Sequence, residues 1–195
     1  MASAAGYGAQ LLSVAASNAT GGDLTTSEAD TLAVITRVVS SFSLIGSILI
    51  MASFLKFKRL QTFAFRLVFY LSMCEFLFSV TNLMGLPDED SGWCFFQAFG
   101  NSFFTVAAVL WTTVIAYCLN QSFGSSSSAS LAAIPQNKLM GRFHLYCWGI
   151  PFVLSLLPLF TDSYGHAGAA CWIKPDGVGY FWRFFQFYVP LVSVF

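Results

Sequence analysis

Apolar and polar positions alternate along the chain in long blocks, with apolar runs separated by short polar connectors. A membrane-spanning helix needs about 20 mostly apolar residues. Four runs meet that length, roughly Thr31–Phe54, Thr62–Leu86, Cys94–Leu119 and Met140–Phe160. A fifth begins near Gly179 and is still apolar at Phe195, where the sequence stops. The pattern predicts an all-α membrane protein whose fifth helix is cut short. The connectors are Lys56–Gln61, Pro87–Trp93, Asn120–Lys138 and Thr161–Val178. Residues 1–30 are rich in Ala, Ser, Gly and Thr and are expected to form a flexible tail, with the transmembrane domain over 31–195. No internal repeat is evident.

Composition sharpens this picture. The chain is 56% hydrophobic and 17% aromatic, with only 9% charged residues. Soluble domains carry about 25% charged residues, so the lipid bilayer is the expected solvent for most of this surface. The formal net charge is zero, with nine basic and nine acidic residues, and no basic excess points to nucleic acid.

Charge placement sets the expected orientation. Lys56, Lys58, Arg59 and Arg66 surround the first connector, and Lys138 and Arg142 flank the third. Basic connectors stay inside the cell, so these two are expected to be cytoplasmic. Asp88, Glu89, Asp90, Asp162 and Asp176 fall in the second and fourth, which are then outside. The tail is also outside, and Asn18-Ala19-Thr20 within it is a glycosylation sequon. These features predict a multi-pass membrane protein with its N-terminus outside, and the sequon fits the secretory route that leads to the plasma membrane, the expected location, as well as to internal membranes.

Glu75 is the sharpest single residue. It falls near the middle of the second run, where an ionisable side chain is expensive. Ser72, Glu75, Ser79 and Asn82 recur at helical spacing and form one polar stripe facing the bundle interior. The stripe is either an ion, proton or switch site, or a protonated carboxyl that glues helices together. Arg37 is the other charge inside a run, and it either bridges to Glu75 or snorkels to the outer headgroups. Gln97, Asn101, Thr105 and Thr112 form a polar line on the third helix. Its upper members either line a pocket open to the outside or make interhelical hydrogen bonds. Lys174, Arg183, Trp172 and Trp182 near the outer mouth read best as interfacial anchors, with attraction of an anionic ligand as the other reading.

Cys94 and Cys171 both fall on the outer side, where a disulfide is chemically allowed. Cys74, Cys118 and Cys147 read as small apolar packing residues. Pro151 and Pro158 in the fourth run and Pro190 in the fifth invite kinks. Ser40, Ser43, Gly46 and Ser47 suit close helix packing on the first. His144 and His166 stand apart from any nucleophile pattern, and no metal-ligand spacing or phosphate-binding loop is present. No catalysis, metal or cofactor is expected.

Several segments together resemble a known family. Arg59-Leu60-Gln61-Thr62-Phe63, Leu67-Val68-Phe69-Tyr70-Leu71-Ser72 and Glu75 are similar to the first inner loop and second helix of the cyclic-AMP receptor-like (class E) family of G-protein-coupled receptors. Leu110-Trp111-Thr112 with Ala116-Tyr117 resembles that family's third helix, and Cys147-Trp148-Gly149-Ile150-Pro151 its fourth. Cys171-Trp172-Ile173, Tyr180 and Pro190 resemble its second outer loop and fifth helix. The resemblance covers roughly residues 31–195 in register. It implies a seven-transmembrane receptor bundle represented by its first five helices, with a Cys94–Cys171 disulfide. It further implies an extracellular ligand of unknown identity and a heterotrimeric G protein inside. Glu75, Ser72, Ser79 and Asn82 are then the expected polar core or switch. Gln97, Asn101, Thr105, Trp172 and Arg183 are the candidate ligand-pocket residues. Two other readings stand beside it: an ion- or proton-coupled transporter or channel-like protein, and a truncated non-signalling partner of a full-length receptor.

Overall fold

The structure is a computed structural model that describes residues 26–88, 91–123, 136–168 and 170–192. Asn18, Asp23, Glu89, Asp90 and the run Gly124–Ser128 lie outside the described residues, as does the side chain of Pro190.

Five α-helices carry the chain: α1 Thr26–Lys56, α2 Phe63–Leu83, α3 Gly92–Phe123, α4 Gln136–Leu156 and α5 Gly177–Val192. Four stretches are long and apolar enough to cross a membrane, namely Asp30–Lys56, Phe63–Leu83, Gly92–Gln121 and Lys138–Thr161. The outward faces keep large apolar side chains that water would not tolerate, including Phe42 at 73% exposure, Leu145 at 77% and Phe160 at 85%. Lipid is the natural solvent for such a surface. The protein is a multi-pass integral membrane protein.

The helices start and stop where local chemistry allows. α1 begins at Thr26, inside the segment expected to be tail, because nothing there breaks a helix. α2 stops at Leu83, and Gly85 follows with φ of 79°. That left-handed conformation costs little for glycine alone and ends the helix. α4 carries Pro151 in its interior and passes into a 3-10 turn at Leu157–Thr161 that holds Pro158.

The expected fourth connector contains regular structure. Tyr164–His166 (β1) and Cys171–Ile173 (β2) form an antiparallel hairpin, with Tyr164 opposite Ile173 and His166 opposite Cys171. An all-α reading omits it. Aromatic and β-branched residues favour strands, and Gly168, with φ of 82°, permits the tight return. Only three residues pair on each side, too few for an alternation pattern to show.

The bundle has a hairpin end and a basic end. Adjacent helices run antiparallel, with α1 against α2, α2 against α3 and α3 against α4. Ser40, Ser43 and Ser47 are buried on α1, as close packing requires. Near the basic end, Phe54 of α1 meets Phe69 of α2 at a ring distance of 4.9 Å. The main core holds Leu67, Cys74, Leu110, Trp111, Val114, Cys147 and Leu154, and a second core lies under the hairpin.

Gly85 is a sensitive position on two counts. Its φ is positive, and an added Cβ would lie 3.0 Å from Nη2 of Arg37. A left-handed non-glycine residue costs about 1–2 kcal/mol. Gly85→Ala should therefore lower thermal stability in detergent by about that amount. Unchanged melting would contradict this account of the α2 terminus.

Candidate functional site

The hairpin end is organised around one face of α3. Cys94, Gln97, Asn101 and Thr105 recur every three or four residues and so line one side of the helix. All four are buried. Cys94 forms a disulfide with Cys171 of β2, with a Cα–Cα distance of 5.3 Å. The Gln97 carbonyl oxygen accepts from the Cys171 amide at 2.8 Å, and Asn101 Nδ2 donates to the Cys171 carbonyl at 3.2 Å. β2 is thus fastened to α3 through a covalent bond and through both backbone groups of one residue.

The same two amides also reach α2. Gln97 Nε2 donates to the carbonyls of Thr81 and Gly85, at 2.8 and 2.7 Å. These carbonyls belong to the end of α2, where no further helical N–H is available. Asn101 Oδ1 accepts from Thr81 Oγ1 at 2.8 Å and from Asn82 Nδ2 at 3.1 Å. Gln97 and Asn101 thereby join α2, α3 and the hairpin into one unit.

Arg183 fixes the hairpin from α5. Its Nε and Nη2 both donate to the Ile173 carbonyl, at 3.1 and 2.6 Å. The guanidinium lies 4.9 Å from the Trp172 ring centre and 5.8 Å from that of Tyr180. Arg183 and Trp172 are buried, at 6% and 7% exposure, so neither is the interfacial anchor that the sequence suggested. The delocalised, weakly hydrated guanidinium tolerates burial on an aromatic face, which hydropathy does not register. Trp182 is half-buried, and its indole N–H donates to Thr161 Oγ1 at 2.8 Å.

Tyr164 is the third fastening. Its hydroxyl donates to the Ser155 carbonyl in the last turn of α4, at 2.8 Å. Burial pushes its pKa from 10.0 up to about 12. His166 Nε2 donates to the Pro87 carbonyl at 2.7 Å and lies with the sulfurs of Cys94 and Cys171 within a 4.8 Å group. In the disulfide those sulfurs are not thiolates, so the group is not a metal centre in this form.

The middle of the bundle holds the Glu75 stripe. Ser72, Glu75, Ser79 and Asn82 are all buried on α2, on the face turned to the bundle interior. Arg37 does not reach Glu75. Its head lies beside Gly85, beyond the end of α2, while Glu75 is about 12 Å back along the helix axis. The long flexible side chain carries the charge away from its own Cα, so the bridge considered from the sequence is not made. Thr112 also departs from the buried line of α3. It is exposed and donates to the Ala108 carbonyl at 2.8 Å, while Leu110 and Trp111 take the buried positions.

A node that the sequence did not reveal joins α2, α3 and α4 closer to the basic end. Tyr70 stacks on Trp111 at 5.0 Å, and His144 meets both edge-on at 4.4 and 5.3 Å. Trp148 Nε1 donates to His144 Nδ1 at 3.1 Å. The clue was the His144–Trp148 spacing of four residues, which puts both rings on one helical face.

This helical bundle, with a disulfide from the third helix to a buried hairpin, defines a rhodopsin-type fold. Squid rhodopsin superposes with a TM-score of 0.67 at 14% identity, over 89% of this chain and 51% of that one. The chain matches the slime mold cyclic AMP receptor family over residues 23–195, and it belongs to that family. G-protein coupled receptor 1 of Arabidopsis thaliana is 33% identical over 88% of this chain and 50% of its own length. Cyclic AMP receptor-like protein A of Dictyostelium discoideum is 30% identical over 89% of this chain and 44% of its own. The chain spans about half the length of these relatives.

Two measurements test the clamp. Gln97→Leu leaves the Thr81 and Gly85 carbonyls and the Cys171 amide unpaired, at about 1–3 kcal/mol each. The variant should melt several degrees lower and lose its disulfide faster to a mild reductant. Wild-type reduction kinetics would refute the clamp. For Tyr164 the folded pKa is raised, so its contribution is complete below pH 10.0 and is lost as pH rises towards about 12. Melting followed from pH 8 to 12 should show a loss in wild type that Tyr164→Phe lacks. Parallel curves would count against burial of the Tyr164 hydroxyl in the folded state.

Proposed function

We propose that the protein is a G-protein-coupled receptor that passes an extracellular signal to a heterotrimeric G protein. The supporting observation is the buried hairpin, tied by Cys94–Cys171 across the ends of α3 and α5 in a bundle of this family. In this reading Thr105, Trp172 and Arg183, all buried at the hairpin end, line the ligand pocket. Gln97 and Asn101 hold that surface from behind. The charge pattern supports a hairpin end outside the cell and a basic end inside it.

Signalling in this reading is a shift between two arrangements of one bundle, biased by differential ligand affinity. Glu75 and its serines lie between the hairpin clamp and the aromatic node. They form a polar interior that can change hydrogen-bond partners as helices slide. No observation favours transport over this reading.

The test is nucleotide exchange on purified heterotrimeric G protein, with the chain in lipid nanodiscs. Cyclic AMP is the first probe because a relative carries its name. Exchange should rise with ligand, and Glu75→Gln should change ligand-driven exchange severalfold while leaving the fold intact. Ligand-driven exchange identical in wild type and Glu75→Gln would remove Glu75 from the mechanism. A chain that binds ligand without altering exchange would remove the coupling.

A further inference from the structure

All charges at one end of the bundle share a sign. Lys56, Lys58, Arg59, Arg66, Lys138 and Arg142 are six of the nine basic residues, and they gather where α1 ends and α2 and α4 begin. None of the nine acids falls there. By sequence the acids lie in the tail, in the connectors of the hairpin end, and at Glu75 in the middle of α2. The Asn120–Lys138 connector carries no acid either.

The six side chains are exposed, and no ion pair holds them among the described residues. The backbone beneath them is ordered by hydrogen bonds. Lys58–Leu60 forms a 3-10 turn, with Phe57 N bonded to Ser53 O at 3.0 Å and Leu60 N to Phe57 O at 2.9 Å. Gln61 N bonds to Lys58 O at 3.2 Å, and Arg66 N to Thr62 O at 3.0 Å. The contact of Tyr70 with His144 at 4.4 Å sets α2 beside α4. Arg66 lies one turn before Tyr70, and Arg142 two residues before His144, so both lie beyond that contact toward the same end of the bundle. Leu55, Phe57 and Phe65 are exposed among these charges, at 66%, 52% and 45%.

We infer that this end is a binding surface for polyanionic lipid headgroups of the adjoining leaflet. A cluster of four to eight basic residues directly beside membrane spans attracts such headgroups. The exposed aromatic and aliphatic side chains sit at the depth where headgroup and acyl chain meet. Topology alone requires only an excess of positive charge. It does not require a surface free of every acid and fixed by backbone bonds. The inference is independent of the receptor reading, because it needs only the bundle and its charges.

Native mass spectrometry of the full chain in mixed micelles provides the test, with a bisphosphorylated phosphoinositide competing against phosphatidylcholine. The phosphoinositide should be retained at least tenfold better. Each charge removed in K58Q, R59Q and the triple variant K56Q/K58Q/R59Q should cost about fivefold in retention. K174Q, at the opposite end, should retain lipid as wild type does. The single variants keep the test decisive if the triple variant fails to fold. Equal retention of both lipids overturns the inference. So does unchanged retention in the variants, or an equal loss in K174Q. Competition by soluble inositol trisphosphate as strong as that by the lipid reassigns the surface to a free polyanion and overturns the lipid assignment.

Discussion

The hairpin end depends on how Cys171 is held. A strand inserted among apolar helices brings backbone N–H and C=O groups into a place without water. Each unsatisfied group costs free energy, so the strand needs partners. Gln97 and Asn101, one helical turn apart on α3, supply one acceptor and one donor to Cys171. Cys94, one turn before Gln97, adds the covalent bond. The same amides close the end of α2, so helix and hairpin have their positions set together. Arg183 and Tyr164 then tie the hairpin to α5 and α4.

α3 is the element common to every part of this arrangement. It carries the clamp at Cys94–Asn101 and the ring node at Trp111. These regions are separated by about 15–25 Å along the axis. Between them runs the buried stripe of α2, with Glu75 at its centre. A rigid helix with fixed contacts at two levels, and an adjustable polar interior between, suits a bundle that relays a change from end to end. The basic end completes the polarity, since its charges interact with headgroups and the other contacts are made within the protein.

Much of this was legible in the sequence because lipid imposes a length. Four spans followed from apolar run length, and the family followed from short segments in a fixed order. The burial of Ser72, Glu75, Ser79 and Asn82 was readable from helical spacing alone. Other features were not readable, each for a physical reason. The β-hairpin is three residues wide and has its backbone satisfied by side chains far away in sequence. Arg37 departed from Glu75 because a long side chain decouples charge from Cα position. Arg183 and Trp172 look like surface anchors in the sequence because hydropathy does not reveal a guanidinium buried on an aromatic face. His144 looked isolated because its partners Tyr70 and Trp111 come from two other helices.

Hydrogen–deuterium exchange of the chain in nanodiscs, with the disulfide intact and after reduction, measures how far the hairpin relies on Cys94–Cys171. Reduction should strip protection from the amides of residues 164–173 and from the end of α2. The α3 segment around Trp111 should stay protected. Uniform protection in both states would show that the hairpin does not depend on its tie to α3. Collapse of protection throughout the bundle would show that the clamp and the ring node are not separate units.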